Sequence, residues 1–200
     1  MFTVIPSVVG GDALTSALWN GLADSVNKGV VRPIAEVTLG AATASISFTA
    51  IAADWSHLLV EVDARGDTAA VTTDLYVRLN GDTGANYDTQ QFNANAGASN
   101  PAESLAQTVI RLGQIPAASA PANLFSHRDI VISSYASTTR EKVVTMRGSL
   151  KYGTATGNMQ MLAHSGFWRS AAAITSVTLL LAAGNFVAGT RATLYGMGGI

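Results

Sequence analysis

The chain has 200 residues, no cysteine, a formal net charge of −1 and only 12% charged residues. That length suits one domain with a sizeable core. The missing cysteine rules out disulfides, thiolate metal sites and cysteine nucleophiles, and no basic stripe marks a nucleic-acid binder. Charged residues at about half the usual share leave a surface rich in Ala, Thr, Ser, Gly and Asn. Such a surface is poorly protected against association, so part of it is expected to be buried against other chains. The alternative is a monomer with an unusually neutral surface.

Met1-Phe-Thr-Val-Ile-Pro lacks a basic n-region and a long apolar run, so no secretory signal is expected. Asp12 or Thr15 can cap a helix, because a side-chain oxygen there accepts from the free amides of the first turn. Leu14, Leu18, Leu22 and Val26 then recur every four residues with Trp19 beside them, while Asn20, Asp24 and Lys28 lie off the stripe. Gly29 and Pro33 end the helix. A helix this short is marginal alone. Residues 1–33 therefore read as an arm, extended and then helical, that packs on its own domain or on neighbouring chains. The apolar segment before the helix favours neighbours.

From residue 34 to 200 the pattern predicts one antiparallel β-sandwich. Strands are expected at 34–39, 44–48, 57–65, 74–80, 87–93, 108–115, 129–135, 142–152, 159–168, 174–182 and 191–197. Alternation is clearest at Leu58 to Asp63, where Leu58, Val60 and Val62 face one way and Glu61 and Asp63 the other. Turn residues such as Asn80-Gly81, Gly97, Pro116, Gly153 and Gly184-Asn185 separate the strands. Many short strands at this spacing suit a jelly roll, which wraps two sheets to limit exposed edges. Residues 93–103 and 115–124 read as exposed loops. In the last third, 174–182 and 190–197 read as a closing hairpin. Val177, Leu179 and Leu181 alternate with Thr178, Leu180 and Ala182, which implies a strand covered on both faces. The run 171–189 is long enough to raise the membrane question, but its period of two and its Thr175, Ser176, Gly184 and Asn185 argue for strand and turn.

Asn80, Asp82, Asn86 and Asp88 offer oxygen ligands at even spacing, which makes Asp82, Asn86 and Asp88 weak calcium candidates. The EF-hand spacing is missing, and Asn-Gly and Asp-Thr-Gly are ordinary tight-turn residues. His57, His127 and His164 stand alone, with no second histidine or carboxylate at a metal-ligand spacing. No Gly-x-Ser-x-Gly elbow or phosphate-binding glycine loop is present, so no catalytic or cofactor site is expected. The remaining functional alternative is carbohydrate binding. Trp55, Tyr87, Phe92, Phe125 and Trp168 are candidate platforms, with Trp55 after Asp54 in an expected turn the best of them. Aromatics in β proteins are more often core than platform.

Three stretches carry a family resemblance. They are Phe48 to Arg65, Val77-Arg-Leu-Asn-Gly-Asp-Thr-Gly-Ala-Asn-Tyr87, and Gly166-Phe-Trp-Arg through Gly189-Thr-Arg-Ala-Thr-Leu-Tyr-Gly-Met197. Together, over residues 34 to 197, they resemble small β-sandwich structural proteins of tailed-bacteriophage virions, found among tail-fibre, head-fibre and minor structural proteins. Ala52 stands where that pattern has a proline. The resemblance implies a virion setting and a non-enzymatic structural role. The composition adds self-association, most simply as a homotrimer. The arm is expected to dock on other virion proteins through Leu14, Leu18, Trp19, Leu22 and Val26. A host glycan is the alternative partner, and neither nucleic acid nor membrane insertion is expected.

Overall fold

The structure, a computed structural model, describes residues 31–199. The arm positions Leu14, Leu18, Trp19, Leu22 and Val26, and the helix expected there, lie outside the described residues. Every regular element among the described residues is a β-strand, and all pairings are antiparallel. Numbered in chain order, the larger sheet runs β1 (Arg32–Thr38), β12 (Arg191–Gly199), β3 (Trp55–Ala64), β8 (Ser126–Ser133), β9 (Lys142–Lys151), β10 (Met159–Trp168), β5 (Tyr87–Asn95) and β6 (Ala98–Gln107). The smaller runs β2 (Ser45–Phe48), β11 (Val177–Leu181), β4 (Thr72–Leu79) and β7 (Ile110–Pro116). From β2 onward the chain passes repeatedly from one sheet to the other, and the two antiparallel sheets form a β-sandwich.

Alternation builds the core. Leu58, Val60, Val62 and Ala64 of β3 are buried while the residues between them are half-exposed. They meet Leu75, Val77 and Leu79 of β4 and Val177, Leu179 and Leu181 of β11 from the opposite sheet. Arg32 and Pro33, assigned to the arm from sequence, belong to β1.

Three expectations are corrected. The polar stretch 93–103 is not a loop: it holds the end of β5, a two-residue turn and most of β6. Ala96 and Gly97 both take left-handed φ, 42° and 85°, and Asn95 pairs with Ala98 across the turn. That is the geometry of a tight hairpin. The strand is hidden in sequence because β7, the edge of the smaller sheet, packs over β9, β10 and β5. β6 lies beyond that cover, with every residue but Ser104 exposed. A strand with no covered face has no apolar alternation to read.

The second correction concerns the expected closing hairpin. β11 and β12 lie in different sheets, and residues 182–190 carry the chain across the end of the sandwich. Asp67 holds that crossing, accepting from the Asn185 amide at 2.6 Å and its side chain at 3.1 Å. Fully buried Phe186 plugs the end, bridging to Thr43 and Gly66. Third, β11 is covered on one face only: Thr178 and Leu180 are half-exposed on the outside of the smaller sheet.

Candidate functional site

The outer face of the larger sheet is the most distinctive surface, and strand register organises it. One row crosses all eight strands in the order Glu36, Thr193, Glu61, Asp129, Arg147, Ala163, Phe92 and Pro101. Its first five positions are charged apart from Thr193, and its last three carry no charge. A neighbouring row runs Arg191, Asp63 and His127 on one side, then Met161, Ala94 and Ser99 on the other.

In the charged half, His127 sits between two carboxylates. Its Nδ1 lies 2.8 Å from Asp63 and its Nε2 3.1 Å from Asp129. Arg147 donates to Asp129 at 3.1 Å and Arg191 to Glu36 at 2.8 Å. Partial burial alone would lower the His127 pKa. Hydrogen bonds and charge from Asp63 and Asp129 together outweigh it, and the net shift is upward. Both ring nitrogens are occupied, so the cluster is a charge ladder with no free base.

The other half exposes large apolar side chains, with Lys151 beside Met159, Asp88 beside Phe167 and Glu103 beside Gln90 on the same face. Phe92, Met159, Met161 and Phe167 are 44%, 66%, 61% and 43% exposed, far more than a monomer's buried core would leave. A concavity of about 490 Å³ is lined by Phe92, Pro101, Thr145 and Ala163 among others. A second, of about 600 Å³, is lined by Ala94, Met159 and Met161 beside the β5–β6 turn. Large exposed apolar side chains of this kind can exclude water against another apolar surface.

The other sequence candidates are placed as follows. Asp82 accepts from Gly84, Asn86 and the Trp168 indole at 2.7–2.9 Å, and these donors, Trp168 first, hold its carboxyl below the usual range. Asn80 caps the backbone at 173–176. Asp88 accepts from the Ala106 amide and faces Arg169. The oxygens therefore serve turns and crossings, and Asp82 and Asn86 meet each other while Asp88 looks elsewhere. Tyr87 and Trp168 are buried and stacked, centroids 6.4 Å apart, so neither is a platform. Phe125 is exposed beside the loop 117–125.

Trp55 begins a strand instead of sitting in a turn. One face of its ring lies against the backbone at Gly196, where any Cβ would come within 2.2 Å of a ring carbon. The rest of the ring borders a concavity of about 370 Å³ with Ser56, His57, Ser134 and Ser137. His57 accepts from the Ser134 amide at 3.2 Å. His164 is buried, contacting the Arg111 carbonyl at 3.1 Å and the Asn93 side chain at 2.8 Å. Burial pushes its pKa down to about 4, so the ring is neutral at pH 7.

Sequence reasoning missed the polar interior. Arg128 is fully buried with no carboxylate partner. Its guanidinium donates to the carbonyls of Leu112, Gln114, His127 and Ser149 and to the Ser126 hydroxyl. Desolvation lowers its pKa to about 10. Gly148 makes room for it, since a Cβ there would lie 2.6 Å from the Arg128 side chain. Arg111 donates to Asp74 at 2.6 Å and Gln91 at 2.7 Å, on the wall of a cleft of about 250 Å³ with Tyr76, Ser104 and Gln107. The one available signal was Arg128 alternating in phase with Ile130 and Ile132, on the inward face of its strand.

No family model matches the chain, and no curated protein sequence is similar to it. Solved structures with some likeness include an exo-inulinase from Aspergillus awamori, 15% identical, with a TM-score of 0.39 over 84% of this chain. The chain spans only 30% of that enzyme's length. A galectin from Caenorhabditis elegans is 11% identical, TM-score 0.33, over 80% of this chain and 94% of the galectin. These likenesses are too distant to assign a family or an activity.

Proposed function

We propose that this chain is a non-enzymatic structural protein of a tailed-bacteriophage particle. In this reading it is a surface β-sandwich of the decoration, head-fibre or tail-fibre kind, self-associating as a trimer and attached through residues 1–33. The observation that carries the assembly role is the exposed apolar half of the outer face, with Phe92, Met159, Met161 and Phe167 on one side of a weakly charged chain. Isolated monomers rarely leave such a patch open. The virion setting rests on the resemblance of residues 34–197 to phage structural proteins. Immunogold labelling of purified particles tests it. Label at fixed sites on intact particles is the expected result; particles that lack the protein would contradict it.

A second reading is a glycan-binding module, favoured by the concavity that Trp55 shares with three serine hydroxyls and His57. A glycan array should then show binding that Trp55→Ala abolishes. Binding unchanged by that substitution would dismiss Trp55 as the platform.

A further inference from the structure

We propose that the cleft along the free edge of β7, between Asp74 and Ser104, is a binding site for a neutral sugar ring. It is separate from the concavity at Trp55 and depends on neither reading above.

Strand irregularity builds the cleft. The smaller sheet ends at β7, and β6 runs on uncovered beyond it. Asp74 and Tyr76 come from β4, Arg111 from β7, Thr89 from β5, and Ser104 and Gln107 from β6. Ser104 and Gln107 are three residues apart, so a regular strand would turn them to opposite faces. An extra residue lies between them: Leu105 and Ala106 together stand opposite Asp88. Ala106 takes a left-handed φ of 53°, with its amide held by the Asp88 carboxylate at 2.8 Å. Both polar side chains therefore line the cleft. A second bulge sets Leu112 and Gly113 opposite Leu75, next to Arg111. Bulges at sheet edges re-aim side chains, and this cleft adjoins two.

The lining selects a neutral ligand. Its charged residues are one carboxylate and one guanidinium, Asp74 and Arg111, paired at 2.6 Å. A carboxylate entering the cleft would meet Asp74, and an ammonium would meet Arg111. A sugar hydroxyl donates and accepts, so neighbouring hydroxyls can use both groups at once. Tyr76 and Ser104 add hydroxyls and Gln107 an amide. Burial first, and Asp74 next, push the Tyr76 pKa up, so its hydroxyl keeps its proton. The Tyr76 ring gives an apolar flank beside that polar tip. Arg111 donates Nη2 to Asp74 and Nη1 to Gln91. Its Nε is the one buried side-chain nitrogen or oxygen, among the described residues, that has no hydrogen-bond partner. A buried donor without an acceptor is costly, and a ligand oxygen seated against the guanidinium would satisfy it. A volume of about 250 Å³ suits a single ring.

The test is a ¹⁵N-resolved NMR titration of the full chain with methyl α-glucoside, methyl α-mannoside and methyl β-galactoside, and with acetate as the anion. At least one glycoside should saturably shift the Arg111 Nε–H signal and the Ser104 amide, while acetate leaves both unmoved. Arg111→Lys, which keeps the charge but lacks the fork, should weaken that binding by at least about tenfold. Tyr76→Phe and Ser104→Ala should each weaken it by about threefold. Both residues are half-exposed, so these two variants stay folded and decide the matter if Arg111→Lys unfolds. No saturable shift with any glycoside would overturn the proposal. So would shifts with acetate alone, shifts confined to Trp55, His57 and Ser134, or an affinity that Tyr76→Phe and Ser104→Ala leave unchanged.

Discussion

Among the described residues Arg128 is the largest fully buried side chain, and it holds three strands at once, through carbonyls on β7, β8 and β9. Replacing it with Met keeps much of the volume but leaves those carbonyls unpaired. Arg128→Met should destabilise the sandwich by at least about 3 kcal/mol, measured by urea unfolding. The histidines predict opposite pH behaviour. His164 has its folded pKa depressed to about 4 from 6.5. The unfolded chain therefore binds a proton first, and stability falls as pH drops through that window, by an amount on the order of 3 kcal/mol. His164→Gln should flatten the dependence, and a slope that persists would contradict it. His127 has a raised folded pKa, so its contribution is present at acid pH and lost as pH rises through that value. Solvent screening keeps it below about 1 kcal/mol. An NMR titration should show the His127 pKa falling in Asp63→Asn. That pairing was illegible in sequence because Asp63 and His127 are 64 positions apart, and only strand register joins them.

At the scale of elements, strands with one buried face were legible and those without were not. β3 and β8 announced themselves through Leu58, Val60, Val62, Ile130 and Ile132. β6 did not, since the smaller sheet leaves it uncovered and its Pro101 and Glu103 read as loop residues although they suit an edge. The partner of β11 was also misread: apolar strands adjacent in sequence suggest a hairpin, but the chain crosses between sheets around buried Phe186. The β5–β6 turn gives a direct check. Ala96 holds a φ of 42° beside Gly97 at 85°, a conformation that Asn tolerates better than Ala. Ala96→Asn should raise stability by roughly 0.5 kcal/mol, read as a higher midpoint of thermal unfolding. A lower midpoint would mean that the hairpin is not the tight turn described.

For the whole molecule, the buried cluster among the described residues is drawn from residues 46 to 194, and β1 begins at Arg32. The fold class was legible because turn residues and alternation punctuate the chain throughout. The exposed apolar patch was not, since Phe92, Met159 and Met161 are spread over the sequence and only the neighbouring strands β5 and β10 bring them together. The proposed assembly role draws on the apolar load of residues 1–30 in the sequence and on the exposed apolar side chains of the outer face. The direct test is the solution mass and thermal unfolding of the full chain beside a chain lacking residues 1–30. A full-length trimer and a truncated monomer with the same unfolding midpoint are the predicted results. A truncated chain that unfolds, or that stays a trimer, would contradict the account.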